Sequence, residues 1–176
     1  RFTERSGAPV SDYPVSEWYW ETSHFEFDRL YDEFSAAVDG QRDHWFHYLV
    51  KANEVGGTAA RTLSGEIFSP FLEEEYSAKL RVGLHGWTLL HHTIVKFNNQ
   101  AIDESIWEGQ NEFLIEEGIP SSYIKDDEPA NTLLLQVRAD QDIDWVYYNW
   151  WELQFRRRYD AFPGRLAFPD SASAGK

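Results

Sequence analysis

A mostly α-helical domain of about five to six helices, with extended terminal arms, is the fold class the sequence predicts. Three observations point there. The 176-residue chain is 42% hydrophobic with 8 Trp, 9 Tyr and 12 Phe, enough for one packed core without a metal or disulfide. A Ser-x-x-Glu capping box opens an apolar stripe at helical spacing. Ser-Pro and Gly pairs then punctuate the chain where helices start and stop.

Residues 1–14 read as an extended arm broken by Pro9 and Pro14, 15–166 as one globular domain, and 167–176 as a C-terminal tail. Glu17–Glu21 is a compact aromatic cluster. Ser23–Glu26 is the capping box. Behind it Phe27, Leu30, Tyr31, Phe34 and Val38 share a helix face that closes at Gly40. Asp43 caps a second helix carrying Trp45, Phe46, Leu49 and Val50, stopped by Gly56-Gly57 and paired antiparallel with the first.

Arg61–Ser69 alternates like a strand. Ser69-Pro70 starts a helix over 70–82, with Glu73, Glu74 and Glu75 at its positive end. Gly83 and Gly86 interrupt before a further apolar segment, Trp87–Phe97. Asp103 caps a helix through Ile106, Trp107, Phe113 and Leu114 that ends at Gly118-Ile119-Pro120. After the polar loop Ser121–Pro129, Thr132–Val137 and Ile143–Tyr159 are continuous apolar runs that periodicity assigns to neither helix nor strand. Asp140-Gln141-Asp142 between them turns a hairpin or begins a helix. The alternative is an α+β fold with an antiparallel sheet in residues 61–97 and 132–155.

The formal charge of −14 repels phosphates and anionic lipid, so no nucleic-acid partner is expected. Arg156-Arg157-Arg158 is the one basic cluster. It reads either as cations offsetting a helix dipole or as a grip for a carboxylate or phosphate. Without cysteine there is no thiolate metal site or nucleophile. No apolar run approaches the roughly 20 residues of a transmembrane helix. The start at Arg1, in a chain without Met, gives the expectation of a processed N-terminus and an organellar, mitochondrial setting.

Phosphate-loop, dinucleotide, nucleophile-elbow and zincin motifs are all missing, which points away from an enzyme. No cofactor or metal is expected. His44 and His47 share a helix face, and with His91 and His92 they form a possible pocket. Glu21 and His24 give a single E-x-x-H, where a di-iron bundle needs two. Glu66, Asp144 and Glu152 are isolated acids in apolar surroundings, read first as solvent-facing groups or structural acceptors.

The strongest anomaly is aromatic. Trp18-Tyr19-Trp20 and Tyr147-Tyr148, Trp150-Trp151 put adjacent rings on different faces of any regular element. One face fills the core, and the other needs a cover. These rings, with Arg156 and Arg157, form the expected interface, rimmed by Glu17, Glu21, Asp144 and Glu152. The function expected is a non-enzymatic accessory or scaffolding subunit that binds protein subunits of a larger complex. The alternatives are a small-molecule binder or enzyme with a buried His/carboxylate pocket, and an acidic inhibitor or immunity-type protein covering a basic site.

Overall fold

A computed structural model of the chain describes residues 18–32, 45–65, 72, 75–125 and 130–158. Among these residues there is no α-helix, and one 3-10 turn, Ser121–Tyr123, is the only helical piece. The rest is strand: β1 (Trp18–Glu26), β2 (Leu30–Tyr31), β3 (Trp45–Phe46), β4 (Tyr48–Ala52), β5 (Thr58–Gly65), β6 (Ala78–Gly86), β7 (Leu90–Phe97), β8 (Gln100–Glu108), β9 (Glu112–Ile119), β10 (Asn131–Arg138) and β11 (Asp144–Arg158).

The strands form two antiparallel sheets face to face, a β-sandwich. The front sheet runs β1-β11-β6-β9, with β4 continuing the ladder beside the first half of β11. The back sheet runs β5-β10-β7-β8. The short β2-β3 ribbon places Phe46 against Tyr147 of the front sheet, with ring centroids 4.3 Å apart. Between the sheets lies one continuous core, including Leu80, Val82, Val95, Phe97, Leu133, Leu135, Tyr148, Trp151, Leu153 and Phe155. Burying each such side chain contributes about 1.5–3 kcal/mol.

The mostly helical reading is overturned, and the chemistry of the strands shows why. In Ala78-Lys79-Leu80-Arg81-Val82 and Asn131–Arg138 burial alternates residue by residue, the period of a half-buried strand. In a chain this rich in apolar residues, matches at i, i+3 and i+4 arise without a helix. The expected helix after Ser23 is, in its described part, the end of β1, β2 and their link; Phe34, Val38 and Gly40 lie outside the described residues. Its capping box lies within β1, where Ser23 pairs with Leu153 and Glu26 with Trp150. The expected helices at 43–50, 70–82 and 103–114 give way, in their described parts, to β3 and β4, β6, and the β8-β9 hairpin.

The α+β alternative keeps its strands in 61–97 and 132–155, but no helical layer accompanies them among the described residues. Asp140-Gln141-Asp142 turns no hairpin: it carries the chain from the back sheet to the front. The β7-β8 hairpin closes through Asn98 and Asn99, whose φ of 47° and 68° make a two-residue turn of the primed type. The arms 1–14 and 167–176 lie outside the described residues, as do His44 and Glu66.

One irregularity sets up the site. The β11-β6 register shifts between Tyr148 and Trp150, a bulge at Asn149. Before it the even residues Val146 and Tyr148 face inward. After it the odd residues Trp151, Leu153, Phe155 and Arg157 do. Tyr148 and Trp151 therefore both enter the core, while Tyr147 and Trp150 both face outward.

Candidate functional site

The outer face of the front sheet carries the rings the core does not take. Strict alternation in β1 sends Trp18 and Trp20 outward opposite Arg158 and Arg156, and buries Tyr19 opposite Arg157. Trp20 is 49% exposed. Trp18 lies under the guanidinium groups of Arg158 (4.8 Å) and Arg156 (6.0 Å), and Arg156 also stacks on Tyr76 at 4.0 Å.

Trp150 lies on the outer face above Gly83, its partner on β6. A Cβ at Gly83 would come within 2.5 Å of the indole, so only glycine lets this ring rest on the sheet. Beside it are His24, with ring centroids 5.5 Å apart, and Leu114 of β9, 53% exposed. Phe46, His85, Glu112, Phe113, Leu114, Asn149 and Trp150 line a recess of about 250 Å³.

Between Trp20 and Trp150 a ladder of charge crosses four strands. Glu152 faces His24 Nδ1 at 3.3 Å and accepts from Arg81 at 3.2 Å. Arg81 donates to Glu116 at 2.7 Å, and Lys79 donates to the same carboxylate at 2.8 Å. Lys79 and then Arg81 hold the Glu116 carboxyl below its ordinary range, and Glu116 and Glu152 raise the Arg81 guanidinium in return. Glu152 is thus a paired surface acid. The arrangement is two aromatic patches separated by a polar strip of paired side chains.

The predicted interface residues divide in two. Trp18, Trp20, Trp150 and Arg156 share the outer face. Tyr148 and Trp151 are core residues. Tyr19 and Arg157 sit inside at the sheet edge, where Arg157 donates to Glu21 at 2.8 Å and Tyr19 donates to the same carboxylate at 3.1 Å. Tyr147 faces outward but is covered by Phe46, and its hydroxyl donates to Asp32. Burial and that carboxylate raise the Tyr147 phenol above its ordinary value, and burial alone raises Tyr148.

Of the predicted histidine pocket, His91 and His92 sit side by side on β7, His47 lies apart, and His44 is outside the described residues. His91 is fully buried: Nδ1 meets Asp144 at 2.7 Å, and Nε2 faces the carbonyls of Thr88 (3.0 Å) and Gly109 (3.3 Å). The other Asp144 oxygen accepts the His92 backbone N–H at 2.8 Å. His92 is clamped by Asp140 at Nδ1 and Glu104 at Nε2, 2.8 Å away. Burial works against its charged form, but the bonds from Asp140 and Glu104 prevail and raise its pKa, while His92 lowers that of Asp140.

Each ring nitrogen of His91 and His92 thus faces an oxygen of the chain, and the cavity beside them is about 80 Å³. These histidines are locks joining β7 to the turn before β11. His47 lies apart, buried against Phe27, Tyr48 and Tyr148. Burial first, then Arg29 and Arg61, press its pKa down to about 4. Among the described residues no group of three or more metal-ligating side chains converges.

Sequence reasoning missed Gly83, Arg81, Leu114 and Glu116. Their signal was present in the alternation of Lys79-Leu80-Arg81-Val82-Gly83 and Leu114-Ile115-Glu116, which marks every second residue as outward.

No family profile and no curated protein matches the chain. Among solved structures it is similar to dimeric latent PorU from Porphyromonas gingivalis, with a TM-score of 0.54 at 12% identity over 89% of this chain. The chain spans 14% of that protein's length, and the likeness is one of fold. A CBM36-1 domain of a multidomain xylanase from the hindgut metagenome of Trinervitermes trinervoides (TM-score 0.37, 8% identity, 58% of this chain and 74% of that one) is less similar. So is a carbohydrate-binding module CBM36 in complex with calcium and xylotriose (0.36, 6%, 76% and 98%). No helix among the described residues is long and apolar enough to cross a membrane.

Proposed function

We propose that the chain is a non-enzymatic accessory or scaffolding module that binds a partner protein across the outer face of its front sheet. The observation that carries this is the division of rings by the strand period. Tyr19, Tyr148 and Trp151 fill the interior, while Trp20 and Trp150 stand on the same outer face, each beside a charged ladder. Tryptophan anchors within a polar rim are the usual composition of protein–protein hot spots, since the indole buries a large rigid area and keeps one donor. The occupied nitrogens of His91 and His92 support a binding role over catalysis. The likeness to PorU, in which a unit of this fold is a small part of a longer chain, is compatible with a module in an assembly.

The test is purification from the native source followed by mass measurement of the intact assembly, for the wild type and for Trp20→Ala and Trp150→Ala. The reading expects the wild type at the mass of a complex and the variants depleted from it. A wild-type chain recovered at its own mass would overturn it. The recess beside Trp150 favours a second reading, a small ligand stacked on the indole, which would bind to the isolated chain without a partner.

A further inference from the structure

On the edge where the two sheets meet, β4 of the front sheet runs beside β5 of the back sheet. There Tyr48 of β4 receives two cations from different parts of the chain. Arg29, in the link between β1 and β2, donates from Nη1 to the Tyr48 hydroxyl at 2.5 Å, its Cζ 5.5 Å from the ring centroid. Arg61 of β5 places its Cζ 3.9 Å from the same centroid. The two guanidinium carbons are therefore no farther apart than those two distances together. Phe27, 48% exposed, supports the Arg29 guanidinium from below at 5.4 Å.

Two arginines also meet over Trp18, but here, in a chain of net charge −14, the pair gathers round a hydroxyl that can itself donate. Lys79, Arg81, Arg138 and Arg157 each have a carboxylate within ion-pair distance. Among the described residues neither Arg29 nor Arg61 does, and both turn to a neutral phenol. The charge is felt locally. Burial and these two arginines keep the adjacent His47 neutral, and bonds and charge from Arg61 and Arg29 lower the Tyr48 phenol pKa. A hydroxyl that accepts from a guanidinium keeps its own proton to donate. Tyr48 O–H and two guanidinium forks on one edge are a donor set for an oxyanion.

We propose that Arg29, Arg61 and Tyr48 form a binding site for an oxyanion of carboxylate or phosphate type, separate from the outer face of the front sheet. Two like charges gathered on one ring repel, and a bound anion would relieve the repulsion. Two forks and one hydroxyl offer more donors than a single carboxylate or phosphate oxygen can use, so the ligand is held through two or more of its oxygens.

The test is a titration of the ¹⁵N-labelled full chain, following the Nε–Hε signals of Arg29 and Arg61. Sodium phosphate and sodium acetate are added in separate arms at constant ionic strength, with sodium chloride as reference. The proposal expects saturable shifts at both arginines in at least one arm, with Arg61→Gln weakening that binding about tenfold or more. Saturation by phosphate alone assigns a phosphate ligand, and saturation by acetate alone a carboxylate. Shifts that merely follow the chloride reference in both arms would overturn the proposal. The wild-type titration stands even if Arg61→Gln fails to fold. Trp150→Ala is expected to leave the saturation unchanged, so failure here and failure of the partner face are separable.

Discussion

The outer face of the front sheet is finished at one end and open at the other. Near the start of β11, Tyr147 faces outward but is roofed by Phe46 from the β2-β3 ribbon, which leaves Phe46 1% exposed. Past the bulge, Trp150 faces the same way over Gly83, partly buried beside His24, and Trp20 is half-exposed at the sheet's far end. Among the described residues the β2-β3 ribbon covers one outward ring of this face, Tyr147. Where a ring is roofed internally, its cost of truncation is a stability cost. Where it is left open, truncation should cost affinity instead.

The sharpest way to break this contrast is Phe46→Ala. Removing the roof leaves a cavity over Tyr147 and is expected to destabilise the chain by about 3–5 kcal/mol in denaturant unfolding. Trp150→Ala should cost no more than about 1.5 kcal/mol by the same measurement. It should weaken partner binding about thirtyfold, read by equilibrium titration against the purified partner. Equal stability losses for the two variants would erase the contrast.

A smaller effect sharpens it further. Gly83→Ala forces the Trp150 ring off the sheet and is expected to cost about 1–2 kcal/mol, with indole fluorescence shifting toward that of a solvated ring.

The two aromatic clusters were legible in the sequence as two-faced, because any regular element sends adjacent rings such as Trp150 and Trp151 apart. Which ring faces in was not legible. That depends on the bulge at Asn149, which reverses the parity of β11 and has no local signature. The helical reading failed for a related reason. Phe27, Leu30, Tyr31 and Phe34 match a helix stripe, but β1 gains its stability from nine pairings with β11, more than a hundred residues away. Of the histidines read as one pocket, His47 lies apart, and His91 and His92 are neighbours on β7. What the sequence could not show is that Asp144, Asp140 and Glu104, distant in the chain, would occupy their nitrogens.

Two further predictions are in pH, and they run in opposite senses. His47 has its folded pKa depressed to about 4, so the unfolded chain takes up this proton first on acidification. Stability then falls as pH drops from 6.5 toward 4. His92 has its folded pKa raised above 6.5. Its contribution is complete below that value and fades as pH climbs through the higher folded one. Melting temperature followed across both ranges should show the acid limb flattened by His47→Gln and the alkaline limb by His92→Gln.

The central claim, that the open end of the front sheet is covered by another protein, is tested most directly by oxidative footprinting of tryptophans. The full chain would be labelled in isolation and in its native assembly. Trp20 and Trp150 should lose most of their reactivity in the assembly, while Trp87 and Trp145, tilted against each other with centroids 4.6 Å apart near the start of β11, keep theirs. Unchanged labelling of Trp20 and Trp150 in the assembly would contradict the account.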